Sequence, residues 1–199
     1  MKQLNSSYTF ILFCITAALF VSCGNDPTPK PKAMLRLEYP EPQYEKTDID
    51  LPFTFEKNIL ADSVGKVKIS KKGAVKGIDI VYPTLKGTIF LTYKEVKSPA
   101  TLRKYLLDAQ KITLKHTQIA DEIEGELYEN KDHNVYGMFY EVGGNAASQS
   151  QFYLTDSSSH FLNGSLYFFT KPNYVSIQPA AQYLIDDIKA IMETVRWKN

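Results

Sequence analysis

The sequence predicts an α+β domain, a mainly antiparallel sheet flanked by two long helices. Three observations lead there. Short runs of alternating apolar and polar residues fall into two sets, 51–93 and 126–170, and each set is followed by a longer stretch whose apolar residues step by threes and fours. The links between the short runs are of hairpin length, whereas a parallel sheet needs a helix-sized crossover between most strands. Thirteen tyrosines and eleven phenylalanines give an aromatic load that suits strands and buried packing.

The elements follow in order. Residues 1–22 have the build of an export signal: Lys2, then the apolar run "FILFCITAALFV" at 10–21, then the small residue Ser22 before Cys23. Twelve residues make about 18 Å of helix, short of the ~30 Å hydrocarbon core, so a permanent span is not expected. A small residue, Cys23 and Gly24 match a bacterial lipoprotein signal, apart from Phe20, where leucine is usual. The expectation is a mature chain that begins at a lipid-modified Cys23, held by two or three acyl chains at about 0.8 kcal/mol per buried methylene. Cys14 leaves with the signal, so the domain contains no disulfide. Residues 23–35 carry prolines at 27, 29 and 31 and form an extended tether, and residues 36–199 form a single globular domain.

Within that domain "RLEYPEPQYE" is extended because two prolines forbid helix. Strands are expected at 51–56, 66–70, 77–82 and 87–93, the last two joined by a turn at 83–86. Ser98 and Pro99 open a helix, as N-cap and first-turn residue, with Leu102, Tyr105, Leu106, Ala109, Ile112, His116 and Ile119 on its apolar face. The acidic run 120–126 reads as the solvated end of that helix, leading into a turn at Gly125. Strands at 126–129, 134–142, 151–156 and 161–170 follow. A second helix, capped by Ser176, bears Ala181, Leu184, Ile188, Ile191 and Val195 and ends near Trp197. This order is similar to the PsbP/Mog1-type α/β/α sandwich.

Candidate chemistry is sparse. Removing the signal leaves 22 basic and 22 acidic residues, a balance that gives no reason to expect nucleic-acid binding or a polybasic hold on anionic lipid. His116 reads as a structural residue beside a helix face, His133 as a solvated hairpin tip in "ENKDHN", and His160 as a turn residue. None is at metal-binding spacing to another, and no cofactor or metal is expected. The stretch 143–151, "GGNAASQSQ", reads as a link between strands, and its small and amide residues make it a candidate contact with a protein partner through Asn145, Gln149 and Gln151. Two other readings stand beside it. One is a serine hydrolase built from Ser148 or Ser150 with His160 and Asp156, although no G-x-S-x-G elbow is present. The other is a carrier of lipid or a small apolar ligand between sheet and helix.

The sequence resembles the gliding-motility lipoprotein GldD family of the Bacteroidetes over nearly all the mature chain. The likeness is carried by "LRLEYPEP" (35–42), "YPTLKGTIFLTYK" (82–94), "DAQKITLKHT" (108–117), "YGMFYEVGGNAASQSQFYLTDS" (136–157), "HFLNGSLYFF" (160–169), "KPNY" (171–174) and "RWK" (196–198). The resemblance implies a cell-envelope lipoprotein, palmitoylated at Cys23, that is needed for gliding and for type IX protein secretion. It implies no catalytic residue, and as partners the membrane and other gliding or secretion envelope proteins, with the globular domain in the periplasm.

Overall fold

A computed structural model describes residues 38–47, 49–65, 68–69, 75–116, 120–169 and 174–198. They all belong to one compact unit, Met34–Asn199. The fold is α+β, with a mostly antiparallel sheet and two helices. Three short strands come first: β1 (Tyr44–Lys46), β2 (Phe53–Thr54) and β3 (Glu56–Asn58). The expected single strand at 51–56 is instead broken at Phe55, whose carbonyl accepts bonds from both the amide and the hydroxyl of Thr47. Two two-residue strands, β4 (Ser63–Val64) and β5 (Lys68–Ile69), pair with β6 (Val75–Tyr82). A tight turn at 83–86, with Lys86 at φ 53°, leads into β7 (Gly87–Glu95), in register from Tyr82↔Gly87 to Val75↔Lys94.

Helix α1 (Pro99–His116) starts as expected, with the Ser98 hydroxyl accepting from the amide of Thr101 at 3.2 Å. Its inward face is the expected one through Leu102, Tyr105, Leu106 and Ala109, all half-buried, and departs from it at the last turn. Ile112 is 41 % exposed, while Thr113 is buried and donates to Gln151 Oε1 at 3.0 Å. The sheet presents a polar residue under that turn, and the helix rotates a hydroxyl onto it. The side chain of His116, and Ile119 altogether, lie outside the described residues.

The acidic run after this helix is a strand. β8 (Glu122–Asn130) pairs along its whole length with β9 (Val135–Gly143), and Gly125 sits opposite Tyr140 instead of in a turn. The reading of 120–126 as a helix end fails because this strand is solvated on both faces, so the alternation of Glu122, Glu124 and Glu126 with Ile123, Gly125 and Leu127 marks no buried side. A 3-10 turn and Asn134, at φ 52°, close the hairpin, with His133 exposed at its tip. β10 (Ser148–Thr155) and β11 (His160–Phe168) complete the sheet, whose order is β4–β6–β7–β11–β10–β9–β8.

Helix α2 (Tyr174–Thr194) begins two residues before the expected cap at Ser176. Asn145 supplies the cap from a distant loop, its Oδ1 accepting the Tyr174 amide at 2.9 Å. The helix buries the predicted stripe, Ala181, Leu184, Ile188 and Ile191, with Val195 just beyond its end, against Ile80, Ile89, Leu154 and Leu162 of the sheet. Each leucine, isoleucine or valine buried in this way contributes roughly 1.5–3 kcal/mol. Residues alternate in β10, so Phe152 and Leu154 meet this core, while Gln151 and Tyr153 point to the other face, where α1 lies. The β1–β3 segment packs through β3 along one flank of α2, and β12 (Arg196–Trp197) returns to pair with β2.

Candidate functional site

The stretch 143–151 is less of a loop than its composition suggests. Gly144 takes φ 87° and packs against Asp121, so a side chain there would be both strained and crowded. Strand β10 then begins at Ser148, with a register shift between Ser148 and Ser150. Of the three expected contact residues, only Asn145 is exposed, and it is engaged as the cap of α2. Gln149 is 2 % exposed, with Nε2 donating to the Ala146 carbonyl at 2.8 Å, and Gln151 is 3 % exposed beneath Thr113. Both face inward in the folded chain, and this corrects the expectation that they meet a partner at the surface. A long amide side chain beside small residues reads as an exposed loop in sequence, whereas here it fills a buried polar layer. That layer is incompletely paired: among the described residues, Gln151 Nε2, Gln149 Oε1 and Ser150 Oγ have no hydrogen-bond partner.

The proposed nucleophiles and their base are far apart. Ser150 lies opposite Leu166, and His160 sits at the other end of β11, where Phe161 pairs with Thr155. Five residues at about 3.4 Å each separate Ser150 from Thr155, so about 17 Å of strand intervenes. Asp156 is committed to its own turn and accepts from the amides of Ser158, Ser159 and His160 and from the Ser158 hydroxyl. Burial alone would raise its pKa; these four bonds outweigh that and hold the carboxyl below its usual range. The arrangement is a turn brace, not a charge relay.

His160 belongs to a different cluster, at the end of the sheet. Its Nδ1 lies 2.9 Å from the Tyr93 hydroxyl, and its ring stacks on Trp197 at 4.9 Å and 6°. Trp197 Nε1 in turn donates to the Asn134 carbonyl at 3.1 Å. Burial, helped by the charges of Glu95 and Asp156, pushes the Tyr93 phenol up to about 12. An open polar cleft of about 260 Å³ lies over this cluster, rimmed by Asp132, His133 and Arg196. Among the described residues, no three His, Cys, Asp or Glu side chains come together as a metal site.

The feature that sequence reasoning missed is the outer edge of β8. It is the last strand of the sheet, and among the described residues nothing pairs with its free side. Leu127 is 76 % exposed on one face of this strand, beside Met138 of β9. On the other face, Tyr128, Phe139 and Met192 floor a hollow of about 90 Å³, with Glu126, Lys189 and Glu193 at its rim. Lys189 reaches toward Glu126 at 3.9 Å and lies over the Phe139 ring at 5.0 Å. The one available signal was compositional: five carboxylates and no base at 121–130.

Cys23 lies outside the described residues, and among those described no helix is long and apolar enough to cross a membrane. Neither the curated proteins nor the solved structures give a match. A family model described as "Gliding motility lipoprotein GldD" matches residues 24–197.

Proposed function

Because the chain belongs to the gliding motility lipoprotein GldD family, and so takes part in gliding motility, we propose that it is a non-enzymatic assembly component of that machinery. Through protein contacts it stabilises the gliding apparatus and the associated type IX secretion system. Acylated Cys23 anchors it to an envelope membrane, residues 24–35 act as a spacer, and the domain works on the periplasmic side. On element order, we also propose the PsbP/Mog1-type sandwich as the analogue of its fold.

The observation that carries the protein-contact reading is the open edge of β8. A free strand edge offers backbone donors and acceptors to an added strand, and hollows beside it select alternate side chains. Here the added strand would place one side chain over the Tyr128–Phe139–Met192 hollow and the next against Leu127. The carboxylates along the edge guard it from indiscriminate pairing and favour a partner strand that carries lysine or arginine. The carrier reading has less support, since the hollow beneath α1 is about 10 Å³, room for about one water.

A photoactivatable residue in place of Leu127 tests the contact in gliding cells. A discrete adduct with another envelope protein is expected there, absent from the same probe at exposed Ile59 and lost when Glu124 and Glu126 become lysine. No adduct at 127, or equal adducts at both positions, would remove the edge as the contact surface.

A further inference from the structure

The formal neutrality of the mature chain conceals a separation of charge. Helix α1 carries Arg103, Lys104, Lys111 and Lys115 against a single acid, Asp108, whereas residues 121–130 carry five carboxylates and no base. The helix turns Leu102, Tyr105, Leu106, Ala109 and Thr113 inward: Tyr105 packs on Phe161 with ring centroids 5.5 Å apart, and Thr113 bonds Gln151. Its outward side is both basic and apolar. Leu107 and Leu114, two turns apart on one stripe, are 48 % and 62 % exposed, and Arg103, Lys104 and Lys111 are exposed beside them. Of the seven large apolar side chains exposed among the described residues, three are on this helix. Helix α2 has no such face: Gln182, Asp186 and Glu193, exposed along its outward side, are polar or acidic.

We propose that the outward face of α1 lies on an anionic lipid surface. Leu107 and Leu114 enter the boundary between headgroups and acyl chains, and Arg103, Lys104 and Lys111 meet lipid phosphates while their stems lie along the leucines. Most of the carboxylates of β8 agree with this orientation. Glu122, Glu124 and Glu126 of β8 project to the α2 face of the sheet, as the pairing of Glu126 with core residue Phe139 requires, and so turn away from the lipid. The inference rests on the lipoprotein reading only in that the acyl anchor brings the domain to a bilayer. From Cys23 to Glu38 the chain spans 15 residues. Extended, they reach roughly 45 Å, enough to pass a sandwich whose layers are about 10 Å apart. Lying on α1, the domain presents the β8 edge sideways, toward neighbours in the membrane plane.

The test uses the mature chain with Cys23→Ser, which removes the acyl anchor, and vesicles of phosphatidylcholine with or without a quarter phosphatidylglycerol. Co-sedimentation with the anionic vesicles only is expected, weakening as salt rises. Arg103→Glu, Lys104→Glu and Lys111→Glu together should lower the partition by about a hundredfold at unchanged melting temperature, and Leu107→Gln with Leu114→Gln should also weaken it. Equal binding to neutral vesicles, or no loss in the charge-reversed variant, would overturn the assignment. An absence of vesicle binding, together with a gliding defect in the charge-reversed variant, would assign the face to an acidic protein instead and overturn it too. Carbonate extraction of the acylated wild type tests the anchor separately: release there would sink the lipoprotein reading whatever the vesicles show.

Discussion

Tyr44 donates its phenol to Asp187 Oδ1 at 2.9 Å across 143 residues of sequence. Asn58 Nδ2 donates to both oxygens of the same carboxylate, at 2.9 and 3.2 Å, and Asp187 is only 1 % exposed. The three residues tie the β1–β3 segment to one flank of α2. A helix already packed on the sheet is thereby also covered along one side, while Gln182, Asp186 and Glu193 stay exposed. Tyr82, whose buried hydroxyl lies near this carboxylate without a well-formed bond, has its pKa pushed far up by burial and by the charge of Asp187.

Removing one donor should loosen this tie without emptying the core. Tyr44→Phe keeps the ring and loses a hydrogen bond to a charged group, and it should cost about 1.5 kcal/mol in urea unfolding. An unchanged midpoint would mean that the ribbon is held by packing alone.

The same carboxylate gives stability a pH dependence. Burial raises the Asp187 pKa; the bonds from Asn58 and Tyr44 oppose this but do not cancel it. The native state therefore holds its proton to higher pH than the unfolded chain does. The contribution is fully present below the ordinary carboxylate pKa of about 4 and is lost as pH rises through the raised native value. Asp187→Asn, which does not titrate, should accordingly gain stability relative to wild type over that rise. Thermal melts from pH 3 upward that run parallel for the two chains would refute it.

Two glycines should behave oppositely. A Cβ on Gly137 would collide with the Tyr153 carbonyl oxygen in the neighbouring strand, so Gly137→Ala should break the β9–β10 ladder and cost about 3 kcal/mol or more. At Gly65 the nearest atom to a new Cβ is the Asp79 carbonyl oxygen at 3.5 Å, an ordinary contact. Gly65→Ala should stay within about 0.5 kcal/mol of wild type. Denaturant titration of both variants checks the pair, and similar midpoints would contradict the strand register.

Much of this fold was legible in the sequence, for physical reasons. Alternation at 77–82 and 87–93 marks strands with one face on a core, and the Ala181-to-Val195 stripe marks a helix buried along one side. What escaped was whatever depends on distant partners. Asn145 caps a helix 29 residues away, and Tyr44 meets Asp187 across most of the chain. Ser176 looked like a cap only because the true one is remote. β8 escaped for the opposite reason: solvated on both faces, it has no buried periodicity to read. Gln149 and Gln151 misled because polarity was taken for exposure.

The anchor makes its own prediction. Cys23→Ala should move the chain from the membrane fraction to the soluble periplasm and abolish spreading, while intact mass of the wild type shows acyl chains on Cys23. A variant that glides normally while free of the membrane would separate function from the lipid.

The central claim is that the β8 edge, not a catalytic centre, does the protein's work. Its most direct measurement is the spreading of cells whose sole copy carries Glu124→Lys and Leu127→Lys, both at exposed positions, at wild-type level and melting temperature. The account expects colonies that do not spread and that export little type IX cargo. Wild-type spreading and export from that strain would contradict it.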